Sequence, residues 1–181
     1  MQQRKILLQQ NQFSWVIERI CCQLVERFND FENTCLIGVQ PRGVMLAERI
    51  FQTLKMLQPE TALPEFGKLD ITFYRDDFRR HNMDWTPKET DINFLIENKN
   101  VILVDDVLYT GRTIHAAISA LQHFGRPNCV ELVVLVDRRF NRDLPIQCTY
   151  RGISVDTLGN AHVRVMWASD SEIDKVELIE K

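Results

Sequence analysis

Apolar positions along this chain recur at two spacings, and each switch between them marks the edge of an element. Phe13, Val16, Ile17, Ile20, Leu24, Val25 and Phe28 fall three or four apart, which predicts an amphipathic helix over residues 11–28, capped by Asn11 or Ser14. Residues 34–39 (TCLIGV) are a short apolar run, hence a strand, and Val44, Leu46, Ala47, Ile50 and Leu54 return to helical spacing. Residues 68–74 (KLDITFY) alternate as a strand, whereas residues 75–100 are polar and show no period. Then comes an unbroken apolar strand, Val101 to Val104, stopping at Asp105 and Asp106. A helix over 113–124 follows, with Ile114, Ala117, Ile118 and Leu121 on one face, ended by the Gly125 and Pro127 punctuation. Residues 130–136 (VELVVLV) form the next buried strand, and 148–150, 162–167 and 176–179 read as short strands, with Asp170 or Ser171 opening a turn before the last. Strands alternating with helices predict an α/β fold, a mostly parallel sheet flanked by helices, with a small group of extra short strands.

Length and charge narrow the possibilities. A chain of 181 residues suits one domain with a real core. Its net charge of −3 and pI near 5.8 supply no overall attraction to nucleic acid and lean toward small-molecule work. Five cysteines (Cys21, Cys22, Cys35, Cys129, Cys148) make no CxxC pair and are odd in number, against a zinc site or a disulfide framework. They read as reduced thiols, mostly buried. No signal-like segment and no apolar run near twenty residues occurs, so a cytoplasmic protein without a membrane span is expected.

The chemistry concentrates in residues 101–113, VILVDDVLYTGRT. A strand entering a helix through Thr110, Gly111, Arg112 and Thr113 presents backbone N–H groups and two hydroxyls, the composition of a phosphate cradle. Asp105 and Asp106 would repel that phosphate, so they serve a neighbouring group: sugar hydroxyls, a hydrated Mg²⁺, or both. The alternative is two acids that merely cap the next helix. Neither a GxxxxGK[ST] nor a GxGxxG pattern is present, so a ribose 5-phosphate fits better than a nucleoside triphosphate or a dinucleotide. A second strand-to-helix crossing carries Pro41, Arg42 and Gly43, which reads as another anion site or as an ordinary turn with an exposed arginine. The polar stretch after Tyr74 suits a lid over the site, with Arg75 first among Arg79, Arg80 and Lys88 to reach an anion on closure and Trp85 to supply apolar contact. Asp137, Arg138 and Arg139 close a third strand, and carboxyl ends of parallel strands are where such sheets put ligands. Asp137 and Arg138 read equally as a structural ion pair. His115 on the following helix is read as surface or core.

Residues 101–113 resemble the phosphoribosyl pyrophosphate (PRPP) motif of type I phosphoribosyltransferases. Together with LDITFYRDD (69–77), FGRP (124–127), LVDRR (135–139) and DLPI (143–146), the chain resembles the PyrR family of uracil phosphoribosyltransferases and pyrimidine attenuation regulators over most of its length. The resemblance implies a single phosphoribosyltransferase domain over 1–181: a core of about 11–60 and 98–150, a hood of about 66–75 and 148–181, and a lid loop of about 75–98. It implies transfer of ribose 5-phosphate from PRPP to uracil, giving UMP and pyrophosphate. Asp105, Asp106, Arg42 and Arg75 would be catalytic, and Tyr109, Thr110, Gly111, Arg112 and Thr113 would hold the 5-phosphate. Pro41, Arg42 and Gly43 would hold pyrophosphate, and Asp137, Arg138 and Val163 the base. Mg²⁺ would arrive on PRPP near Asp105 and Asp106 with no metal cage made by protein alone, and a homodimer or higher homo-oligomer is expected. Tyr109 stands where purine-transferring relatives commonly have an acid, which favours a pyrimidine, with orotate or a purine as the alternative base.

Departures from the family bear on its other activity, binding of pyrimidine-operon RNA. RRFNRDLPI has one extra residue and the Ile-Pro-Thr-Ser run is missing, whereas Gln40-Pro41, in place of a Lys-Thr or similar pair, concerns the pyrophosphate loop and removes a possible charge there. On the surfaces that such regulators make basic, Glu18, Cys22, Gln147 and Asp156 replace charge, while Arg19, Arg27 and Arg151 keep part of it. Catalysis therefore ranks above RNA regulation.

Overall fold

The computed structural model describes residues 3–76, 87–156, 161–168 and 173–180. Thirteen elements follow in order, eight strands, three α-helices and two single 3₁₀ turns. Strands β2 (Thr34–Val39), β3 (Glu65–Leu69), β4 (Asn100–Leu108), β5 (Cys129–Arg139) and β6 (Tyr150–Asp156) form one sheet in the order β3-β2-β4-β5-β6. All four pairings in it are parallel. Helices α1 (Gln10–Phe28) and α2 (Arg42–Leu57) cover one face and α3 (Arg112–Leu121) the other.

Period-two alternation explains the unbroken apolar runs. Along β4, Ile102 and Val104 pack under α1 and α2, while Val101 and Leu103 pack under α3. Both faces are covered, so both sets must be apolar. On the α1 side, Phe13, Ile17, Ile20 and Leu24 are fully buried. At roughly 25 cal/mol per Å² of apolar surface, burial of side chains like these dominates the folding energy.

A second, antiparallel sheet has the order β1-β8-β7, from β1 (Gln3–Leu8), β7 (His162–Met166) and β8 (Lys175–Glu180). This is the hood, and its make-up differs from expectation in three ways. Residues near Leu69, expected there, instead form β3, the edge strand of the large sheet paired with β2. Strand β1 carries no clear local pattern because its partner, β8, comes from the other end of the chain. Of residues 148–150, expected as a strand, Tyr150 opens β6, which is also part of the large sheet.

Several boundaries also move. The strand expected over 68–74 ends at Leu69, and Thr72–Tyr74 is a 3₁₀ turn. Gln9, rather than Asn11 or Ser14, caps α1 through a reciprocal bond with Gln12. Strand β4 does not stop at the two acids but runs through them to Leu108, because β5 keeps pairing with it as far as Leu108 against Asp137. The expected turn at Asp170 or Ser171 lies outside the described residues.

Candidate active site

The crevice arises from a difference in strand length. Strand β2 stops pairing with β4 at Gly38 against Val104, while β4 and β5 continue together. Beyond Val104, β4 has lost one neighbour, and the chain leaves β2 through a cis Gln40-Pro41 peptide into α2. The order of the sheet reverses here, β3 lying on one side of β2 and β4 on the other. That is the switch point at which open parallel sheets bind ligands.

A cavity of about 350 Å³ occupies this point. Asp105 and Asp106 from β4, Pro41 and Arg42 from the start of α2, Thr113 from α3, and Arg75 all line it. These six, together with Lys88, were singled out from sequence and are thus brought to one space. Gln40, Asp70, Thr72 and Lys88 complete its polar wall.

Asp105 and Asp106 are 7% and 8% exposed. Burial pushes the Asp105 carboxyl well above its ordinary value, and the neighbouring Asp106 adds to this. Asp106 is also raised by burial, and Arg42 partly counters it across a 2.9 Å ion pair. The Arg42 guanidinium donates in addition to the Val165 carbonyl of β7, tying the hood to β4. Gly43 is buried behind Arg42 because the start of α2 lies directly on β4: a Cβ there would sit 2.3 Å from the Val104 carbonyl oxygen.

The loop over Tyr109, Thr110, Gly111 and Arg112 reaches α3 through Gly111 at φ 91°, a left-handed conformation that favours glycine. A glycine cap has no side chain to satisfy the first-turn N–H groups, the condition under which a helix start receives an anion. Residues 143–146 brace the loop from behind. The Asp143 and Leu144 amides donate to the Thr110 carbonyl at 3.0 and 3.2 Å, and Ile146 packs on Gly111. Arg112 is paired with Asp143 at 2.9 Å and with Asp76.

The expected base-side residues do not line this cavity. Asp137 is buried and engaged by Arg142. Arg138 stacks over the Tyr109 ring, its guanidinium carbon 3.8 Å from the ring centre, and donates to the Ala161 carbonyl at 2.7 Å. Val163 is half-buried in the hood against Leu178. His115 is exposed. Of the expected lid residues, Arg79, Arg80 and Trp85 lie outside the described residues.

Two well-connected positions at the site escaped the sequence reading. The Asp70 carboxylate accepts from the Thr72 and Lys88 amides at 2.7 Å each. An Asp two residues before a Thr, just after a strand, was the available signal. Arg142, one arginine among several in RRFNRD, had none.

Among the described residues no group of three or more Cys, His, Asp or Glu side chains is placed to hold a metal, and Asp106 is already paired with Arg42. The donor set fits a Mg²⁺ that is held largely by a substrate's phosphates and only touched by one or two carboxylates. No described helix is long and apolar enough to cross a membrane. Cys21 and Cys35 are buried, Cys129 and Cys148 half-buried, Cys22 exposed, and all are free thiols.

Comparison with known proteins agrees with this geometry. A family model described as a phosphoribosyl transferase domain matches residues 3–170. The chain is 43% identical over 166 residues to the Bifunctional protein PyrR of Caldicellulosiruptor saccharolyticus, covering 92% of this chain and 90% of that one. It is 37% identical to the Bifunctional protein PyrR of Bacillus cereus, with both chains covered completely. Among solved structures, the hypoxanthine phosphoribosyltransferase of Trypanosoma cruzi superposes with a TM-score of 0.71 over 96% of this chain and 95% of that one, at 17% identity. At that identity the likeness concerns the fold.

Proposed function

The chain belongs to the phosphoribosyltransferase family, within its PyrR group, and on that premise we propose that it transfers ribose 5-phosphate from PRPP to uracil, giving UMP and pyrophosphate. The observation that carries this reading is the single cavity at the end of β4, walled by two adjacent buried carboxylates, two arginines and the first turn of α3. In this reading the loop from Tyr109 to Thr113 anchors the 5-phosphate and so orients the sugar. Asp105 and Asp106 accept hydrogen bonds from the ribose hydroxyls, and their negative charge favours the cation that develops on the sugar as the bond to pyrophosphate breaks. Pro41, Arg42 and Gly43 receive the pyrophosphate, with Arg75 and Lys88 reaching it from the lid side. Asp137, Arg138 and Val163 take the base side, where the Arg138 stack on Tyr109 supplies a flat apolar surface beside hydrogen-bonding groups. Asp105 and Asp106 would stand beside a Mg²⁺ carried in on PRPP, which would supply charge neutralisation for the pyrophosphate group.

The choice of uracil follows the PyrR group, and Tyr109, standing where the resemblance puts an acid in purine-transferring relatives, favours a pyrimidine. A panel of uracil, orotate, hypoxanthine and guanine, each with PRPP and Mg²⁺, tests this. UMP formation is expected to exceed every other product by at least tenfold. Transfer to a purine alone would overturn the choice of base, and absence of any nucleotide product would overturn the reaction.

The RNA-binding reading ranks second, as an activity of the same chain. Two of the three cations retained on the relevant face, though exposed, already have partners within the chain. Arg19 donates to the Arg151 and Gly152 carbonyls at 3.2 and 2.6 Å, and Arg27 pairs with Glu131 at 3.1 Å. A phosphate contact by either would have to compete with these partners. The protein is proposed to work as a homodimer or higher oligomer in the cytoplasm.

A further inference from the structure

We propose that Arg142 is a positioning residue for the transfer reaction: one guanidinium that sets the phosphate loop in register with the base side of the site. This rests on the phosphoribosyltransferase reading above. Arg142 Nη1 donates to the carbonyls of Leu108 and Arg138, at 3.2 and 2.9 Å, and to that of Tyr109. Its Nε donates to the Ile146 carbonyl at 3.1 Å, and Nη2 binds the Asp137 carboxylate. Four carbonyls and one carboxylate therefore converge on a half-buried side chain.

Those acceptors belong to three separate parts of the site. Leu108 and Tyr109 are the end of β4 and the entry to the phosphate loop, Asp137 and Arg138 are the end of β5, and Ile146 covers Gly111. The ladder between β4 and β5 finishes at Leu108 against Asp137. Past that point the regular strand pairing no longer sets the spacing between the phosphate loop and the base side, and Arg142 bridges the gap. The Tyr109–Arg138 stack depends on the same bridge, because both of its backbone carbonyls are bound by this guanidinium.

Only arginine has the planar fork of N–H donors that such a convergence requires; a lysine ammonium keeps the charge but offers three donors from one point. Arg142→Lys should thus retain the pairing with Asp137 and lose most of the carbonyl ties. Misplacement of a reacting group by about 1 Å costs on the order of 100-fold in rate.

The test compares wild type, Arg142→Lys and Arg142→Ala by steady-state kinetics, calorimetric titration of PRPP with Mg²⁺, thermal melting, and amide hydrogen exchange. The expected result is a fall of about 100-fold in kcat/KM for PRPP in both variants, well below their melting temperatures, and recovery of at least tenfold in Arg142→Ala on adding millimolar guanidinium. Faster exchange confined to residues 109–113 should accompany it. Variants with lowered melting temperature but unchanged kcat/KM, or an Arg142→Ala deficit that guanidinium leaves untouched, would overturn the proposal. Should Arg142→Ala not fold, Arg142→Lys decides by the same ratios. The wild type tests the underlying reading separately: if it uses another base, the ratios are taken with that base. If it binds no PRPP at all, that reading falls, and exchange at residues 109–113 that is equal in Arg142→Lys and wild type overturns the positioning role on its own.

Discussion

Replacing Gly43 by alanine adds one methyl group at the place where α2 rests on the catalytic strand. Its Cβ would lie 2.3 Å from the Val104 carbonyl oxygen and 3.0 Å from the Asp105 Cα. Close carbon–oxygen contacts in folded proteins lie near ~3.3 Å, so the shortfall is about 1 Å. Both obstacles are backbone of the central strand and cannot rotate aside, so the start of α2 must retreat by about that distance. Overpacking of this kind costs about 1–3 kcal/mol. For a chain of this size, each kcal/mol lowers Tm by about 2–4 °C. The adjacent Arg42, now 2.9 Å from Asp106, would be carried out of hydrogen-bond range. A further loss of about 100-fold in kcat/KM for PRPP is expected from that displacement. Thermal melting and a UMP-forming assay read the two effects independently, with Met56→Ala on the exposed face of α2 as the control that moves neither. A Gly43→Ala protein with wild-type Tm and wild-type kcat/KM would refute the idea that this contact sets the place of Arg42.

Asp105→Asn should lower turnover by about 100- to 1,000-fold yet raise the thermal stability of the protein without ligand at neutral pH. The Asp105 carboxyl is held well above its ordinary value of 3.8, so through the interval between these two values the folded state binds more protons than the unfolded state and wild-type stability falls as pH rises. Melting curves taken upward from the ordinary carboxylate value should show that decline diminished in the variant; parallel curves would contradict it. Tyr150→Phe removes a 2.6 Å bond to Glu131 at the far end of the sheet and should cost about 1.5–3 kcal/mol of stability while leaving kcat/KM unchanged, as denaturant titration and the same assay would show. In a gel-shift assay at physiological salt the protein should discriminate little between a pyrimidine leader hairpin and a scrambled control, with or without UMP, because Arg19 and Arg27 are engaged within the chain and lost phosphate contacts weaken all sequences alike. Tight, UMP-dependent binding to the leader alone would promote the regulatory reading to first place.

Residues 101–113 show how far local sequence reached. An apolar run with no polar face requires a strand covered on both sides, and a Thr-Gly-Arg-Thr turn before a helical period requires a helix start with a glycine cap. Those constraints act between near neighbours, so they were legible along the chain, as were β2 and the helices. Pro41, Arg42 and Gly43 were legible as a second crossing for the same reason. What sequence could not decide depended on pairing between distant segments. Strand β1 exists because β8 covers it, and β4 continues through two acids because β5 runs on beside it. Residues near Leu69 joined the large sheet because β2 offered an edge. The same holds within the site. Whether Asp137 faced a base or an arginine, and which of several arginines would gather four carbonyls, turned on where β5 ends relative to the loop that follows it. Chemistry was written in residue types and short spacings, whereas its alignment came from strand lengths and register, which only long-range hydrogen bonding and burial can set.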